Sequence, residues 1–152
     1  ILEDYLGEAN ESEARKHALS NQVLSKYFDR NIIEKEQLVY DVRQASSYVY
    51  FLEEGEIELV KISTVSKDEG LGTTQECIER VNKINTGGIF GESEFILNAL
   101  HSTRALSVRS CVFWTLSRNN FRVMVVEHPQ LCLLVQQILM KYISISAHNS
   151  TH

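Results

Sequence analysis

From Asn31 to residue 116 the apolar side chains recur with a period of two, in runs too short for helices and separated by turn residues. That pattern restricts the chain to an architecture built on antiparallel sheet. The runs are residues 37–40, 48–52, 56–62, 77–84, 89–90, 105–108 and 112–116, rich in Val, Ile, Tyr and Leu. Glu53-Glu54-Gly55 joins the second and third as a hairpin, whereas residues 63–75, polar and without pattern, read as a long exposed loop. At both ends the period changes to 3.6. Asn10 and Glu13 form a capping box, and Leu19, Val23 and Tyr27, with Leu24 and Phe28 alongside, make one buried helix face. Ser117 reads as an N-cap for a short helix with Phe121, Met124 and Val125 on its apolar face, ending before Pro129. Pro129 then opens a longer helix striped by Leu131, Leu134, Val135, Ile138, Tyr142 and Ile145. A helix, about eight short strands and two closing helices, without internal repeat, predict a jelly-roll-like β roll flanked by helices.

Composition removes several function classes. The net charge of −5 disfavours a nucleic-acid partner, because affinity for phosphate backbones comes from Lys and Arg. Cys77, Cys111 and Cys132 are odd in number and far apart, which suits neither a disulfide framework nor a structural zinc site. No His-x-His motif occurs, so no metal is expected. The stretch 131–146 is interrupted by Gln136, Gln137 and Lys141, and falls short of the roughly 20 apolar residues of a membrane span. The chain opens on Ile1 without a signal-peptide pattern, so we expect a single domain cut from a larger protein. Nucleophile-elbow and P-loop motifs are absent, and a non-enzymatic binding module is the expectation.

The chemistry is concentrated in Gly87-Gly88-Ile89-Phe90-Gly91-Glu92 and the later Arg104-Ala105-Leu106-Ser107-Val108. Crowded glycines let the backbone turn tightly and leave N–H groups free for an anion. An Arg at the start of the next strand can hold a phosphate bidentately, and a nearby carboxylate calls for a hydroxyl donor such as a ribose. The pattern therefore reads as a sugar-phosphate site. The plainer alternative is that Glu92 and Arg104 form a partly buried ion pair closing the barrel. His101 reads as an exposed loop residue, Trp114 as core packing on a strand face, and the final helix as core-facing, with self-association through it as the sharper alternative.

With these residues in place the chain resembles the cyclic nucleotide-binding domain family. The resemblance runs through Tyr50-Phe51-Leu52-Glu53-Glu54-Gly55-Glu56-Ile57-Glu58-Leu59, Ile84-Asn85-Thr86-Gly87-Gly88-Ile89, the Phe90-Gly91-Glu92 cassette, the Arg104 strand and the closing helices. It implies an eight-stranded antiparallel β roll over residues 31–117 with a phosphate-binding cassette at 87–108, a helical segment at 1–30 and C-terminal helices at 118–152. It further implies that Glu92 takes the ribose 2′-hydroxyl, Arg104 the cyclic phosphate, and the backbone around Gly91, Ser93 and Ala105 the remaining oxygens of cAMP or cGMP.

Departures from the resembled pattern point to a weak or degenerate pocket. The segment between Glu92 and Arg104 is lengthened, with Asn98-Ala99-Leu100-His101 where a short turn ending in Pro is implied. Glu94 adds a second carboxylate, and Glu36 and Val42-Arg43 stand where turn glycines are implied. Phe95-Ile96-Leu97, Leu116-Ser117, Glu127-His128-Pro129 and Ile143-Ser144-Ile145-Ser146-Ala147-His148 are similar to the C-terminal cyclic-nucleotide-like domains of fungal sulfate-permease-type transporters, which usually carry a STAS domain upstream. The expectation is a regulatory or interaction module at the cytoplasmic face of a membrane transporter, contacting other domains of its own parent. The alternative is a working cAMP or cGMP sensor.

Overall fold

The structure, a computed structural model, describes residues 21–66, 72 and 74–150. Helix α1 (Asn21–Tyr27) is followed by β1 (Phe28–Ile33), β2 (Leu38–Tyr40), β3 (Tyr48–Glu54), β4 (Glu56–Ser66), β5 (Thr74–Asn85) and β6 (Ile89–Phe90). Helix α2 (Glu92–Leu97), β7 (Arg104–Ser107), β8 (Cys111–Ser117), α3 (Arg118–Glu127) and α4 (Pro129–Ser150) complete it. The strands form two antiparallel four-stranded sheets, ordered β1-β8-β3-β6 and β2-β7-β4-β5, which is the predicted eight-stranded roll.

The sheet β1-β8-β3-β6 has apolar residues on both faces, and the two sets serve different cores. Along β3, Val49 and Phe51 join Leu24, Tyr27, Met124, Leu131, Val135 and Leu139 in a core shared with the helices. Tyr50 and Leu52, one step on and therefore on the opposite face, join Tyr40, Ile57, Phe90, Ala105 and Phe113 inside the roll. The neighbouring strands divide in the same way: Ile89 and Leu116 face the helices, Phe90 and Phe113 the roll. Trp114 packs partly against the helix-side core, as its strand position predicts.

Several boundaries differ from the sequence reading. Phe28 is not the end of a helix but the first residue of β1, opposite Leu116 on β8, with its ring 5.8 Å from that of Phe51. Strand pairing has overridden the i, i+4 continuity, and the helical segment ends before residue 30. The capping box at Asn10 and Glu13 lies outside the described residues, as does Leu19. Both ends of the stretch read as a loop are strand, joined as a ribbon, since Ser63, Thr64, Val65 and Ser66 pair with Cys77, Glu76, Gln75 and Thr74. Such a ribbon is solvated on both faces and shows no alternation of apolar and polar residues.

At the C-terminal end Ser117 caps α3 by accepting from the Asn120 N–H at 3.0 Å, and Pro129 opens α4. On α3, Met124 is fully buried and Phe121 partly, but Val125 is 48% exposed, so the apolar stripe is narrower than an i, i+3, i+4 face. On α4, Leu131, Leu134 and Val135 are buried and Ile138 packs partly; the side chains of Tyr142 and Ile145 lie outside the described ones. Among the described residues no helix is long and apolar enough to cross a membrane, and no group of three or more His, Cys, Asp or Glu could hold a metal.

Candidate functional site

A cavity of about 390 Å³ opens beside the cassette. It is lined by Gly91, Glu92, Ser93 and Glu94 of the cassette, by Tyr40 and Leu59, and by Leu100, Ser102 and Thr103 of the lengthened turn. Gly91 carries φ +74, and a Cβ there would lie 3.0 Å from the Tyr50 ring, so a glycine is what lets α2 start against β3. Of the residues singled out from the sequence, Gly91, Glu92 and Ser93 are thus brought together. Ala105 is buried inside the roll, and Arg104 turns away to ion pairs of its own.

Glu92 and Arg104 do not form the ion pair considered above. Arg104 donates from Nε to Asp41 Oδ1 at 2.9 Å, and its Nη1 lies 3.2 Å from Glu76 Oε1. Glu92 is 9% exposed and has no side-chain partner among the described residues. Glu94 does not stand free in the cavity either. Its Oε1 accepts from the backbone and hydroxyl of Ser102, both at 3.4 Å, and lies 3.8 Å from His101 Nδ1. The imidazole beside it, together with the Ser102 N–H, holds the Glu94 carboxyl below the usual carboxylate range.

His101 reverses its expected environment. Far from exposed, it is buried, with its ring stacked on Tyr40 at 3.6 Å. Backbone bonds stitch it to the turn after β2: the Arg43 N–H donates to His101 O at 2.8 Å and the His101 N–H to Gln44 O at 2.9 Å. Arg43 sits at φ +68 and Glu36 at φ +61, so the two turns that lack glycine still adopt the left-handed conformation glycine favours. Asn98, at φ +53, ends α2 in the same conformation.

The cassette is also wired to the helices, a link that sequence spacing did not suggest. Arg118, the first residue of α3, donates to Ser46 O at 2.7 Å and Phe95 O at 2.9 Å, and its guanidinium stands 4.6 Å above the Phe95 ring. Phe95 meets Phe121 edge-on at 5.8 Å, and the Ser46 hydroxyl donates to Glu94 O at 2.9 Å.

No protein-family model matches the chain. Over 112 residues it is 30% identical to a cAMP-dependent protein kinase regulatory subunit of Colletotrichum orbiculare, a match covering 71% of this chain and 27% of that protein. The chain therefore spans about a quarter of the length of that curated relative. A cyclic nucleotide-binding domain from Methylobacillus flagellatus superposes with a TM-score of 0.75 at 17% identity, covering 97% of this chain and 76% of that one. The fold is that of the cyclic nucleotide-binding domain family. The same fold is shared with the regulatory subunit of a cAMP-independent protein kinase A from Trypanosoma brucei, at a TM-score of 0.57 and 16% identity, covering 90% of this chain and 42% of that one.

Within this cyclic nucleotide-binding fold the carboxyl of Glu92 is unusual. Burial, with a smaller contribution from Glu94, pushes it up to about 7 against the lowering influence of its own backbone N–H. In the unfolded chain Glu92 ionises in the ordinary range, so as pH rises from about 4.5 to about 7 the folded state alone retains the proton and loses stability relative to the unfolded one. Glu92→Gln removes that penalty. It is expected to stabilise the domain at pH 8 by roughly 3 kcal/mol and to leave it unchanged near pH 4. Urea melts at the two pH values check this, and an equal effect at both would contradict it.

Proposed function

We propose that this chain is a non-catalytic regulatory module of a larger protein that takes a cyclic nucleotide in the cassette cavity, and takes it weakly. Glu92 receives the ribose 2′-hydroxyl, the backbone around Gly91, Ser93 and Ala105 meets phosphate oxygens, and Arg104 supplies the positive charge. The observation that carries the reading is the meeting of Gly91, Glu92 and Ser93 with Tyr40 and Thr103 around one cavity, with Arg104 next in the chain to Thr103. The observation that makes it weak is that Arg104 already holds two carboxylates. The fold alone does not decide the matter, since a cAMP-dependent and a cAMP-independent kinase regulatory subunit both stand among the similar proteins. Those relatives also favour regulation over catalysis.

Titration calorimetry with cAMP and cGMP tests this. We expect dissociation constants in the tens of micromolar or weaker, with Arg104→Gln costing a further 2 to 4 kcal/mol or about that. Submicromolar binding would overturn the weak pocket and establish the sensor reading, which the Phe95–Phe121 and Arg118 links to α3 favour. Binding indifferent to Arg104 would overturn the site. Attachment to a sulfate-permease-type transporter rests on the quoted C-terminal segments alone, and the full coding sequence would decide it by showing membrane spans upstream or none.

A further inference from the structure

Arg104 is the cation on which the proposed site depends, and the two carboxylates that hold it are not equivalent. Glu76 stands on the β4–β5 ribbon with its side chain 50% exposed, so its hold is screened by water. Asp41 is built in. Its Oδ1, which accepts from Arg104 at 2.9 Å, also accepts from the Val42 N–H at 2.7 Å. Its own N–H donates to Gln44 Oε1 at 2.9 Å, and its carbonyl accepts from the Gln44 N–H at 3.3 Å. The turn so formed is pinned to the lengthened cassette by the two His101 backbone bonds and by the His101 ring on Tyr40. Tyr40 precedes Asp41 and Thr103 precedes Arg104, and Tyr40 and Thr103 line the cavity, so each member of the Asp41–Arg104 pair stands one residue along the chain from the cavity lining without being part of it.

A guanidinium offers a fixed fork of donors, and a carboxylate and a phosphate compete for the same edges. We propose that Asp41 is an internal competitor for the ligand's phosphate, occupying Arg104, and that residues 98–101 of the lengthened cassette hold it in place. This deepens the reading above by naming the residue that sets its affinity. The competition concerns any phosphate; only the choice of a cyclic nucleotide rests on that reading.

Asp41→Asn keeps the shape of the turn and removes the charge. Calorimetry on the whole domain, with cAMP and with inorganic phosphate as separate probes, should show tighter binding of both by at least tenfold relative to the unsubstituted chain. In the Asp41→Asn, Arg104→Gln double variant the gain should vanish. Asp41→Ser, which also lacks the charge, should reproduce the gain should the Asn variant fold poorly, and Glu76→Gln should change affinity less than threefold. A tenfold gain for inorganic phosphate with none for cAMP supports the competition and overturns the cyclic-nucleotide reading. No gain for either probe, weaker binding, or a gain that survives loss of Arg104 overturns the competition; Arg104-dependent cAMP binding in the unsubstituted chain would then leave the reading standing.

Discussion

Gly55→Ala should unfold this domain more readily than any other single-methyl insertion among its described glycines, at a cost of about 3 to 5 kcal/mol. Gly55 lies at φ +119, a region that residues with a Cβ hardly enter. The added Cβ would stand 2.5 Å from Cys111 Sγ, 2.8 Å from Ser110 O and 2.9 Å from Cys111 Cα, and the last two are backbone atoms that no rotamer change can clear. Nor can the hairpin swing aside. The Gly55 N–H donates to Thr86 Oγ1 at 3.2 Å, and its carbonyl accepts from Thr86 Oγ1 at 3.3 Å and Arg109 Nη2 at 3.4 Å. Thermal melting should therefore fall by about 10 to 15 °C. Gly87→Ala, at φ +90 with nothing within 4 Å of its Cβ, is the control that carries backbone strain alone. Equal losses at the two positions would show that the contacts with β8 play no part.

The second large effect is expected at Phe95. Its ring is 2% exposed, lies under the Arg118 guanidinium and meets Phe121 edge-on, so Phe95→Ala should cost about 3 to 5 kcal/mol through lost burial and the cavity left behind. Phe95→Leu should restore most of that stability but not the ring contacts. Hydrogen exchange then separates packing from communication. With ligand bound, protection should change in α3 and α4 of the unsubstituted chain and change far less in Phe95→Leu, while affinity is held within a few-fold. An unaltered response of the helices in Phe95→Leu would mean that the ring contacts do not carry the signal.

What could be read from the sequence was whatever leaves a periodic or local trace. Strands covered on both faces, such as residues 48–52 and 112–116, announced themselves as short, nearly unbroken apolar runs between turns, and the glycines at 87, 88 and 91 marked the cassette because the chain must turn tightly there. The ribbon at 63–66 and 74–75 was invisible because it is exposed on both faces, so nothing selects apolar residues at alternate positions. Strand β1 was missed in part because Phe28 also satisfies the spacing of the preceding helix. The partners of the site residues left no trace for a different reason. Asp41 meets Arg104 across 63 residues of chain, and His101 stacks on Tyr40 from a similar remove, so no spacing rule connects them. One absence was informative: glycine was wanted near Glu36 and Arg43, and the backbone does turn left-handed at both.

Because alternate side chains of β3 and β8 belong to opposite cores, the sheet they share acts as a party wall between two rooms. Taking away α3 and α4 would strip its outer side and leave Val49, Phe51, Ile89 and Leu116 facing water, so the roll cannot be excised as a smaller soluble unit by trimming the chain after Ser117. For the same reason any rearrangement of the helices must keep that side of the wall covered. This favours sliding or pivoting over detachment, and the tether at Arg118 supplies the pivot.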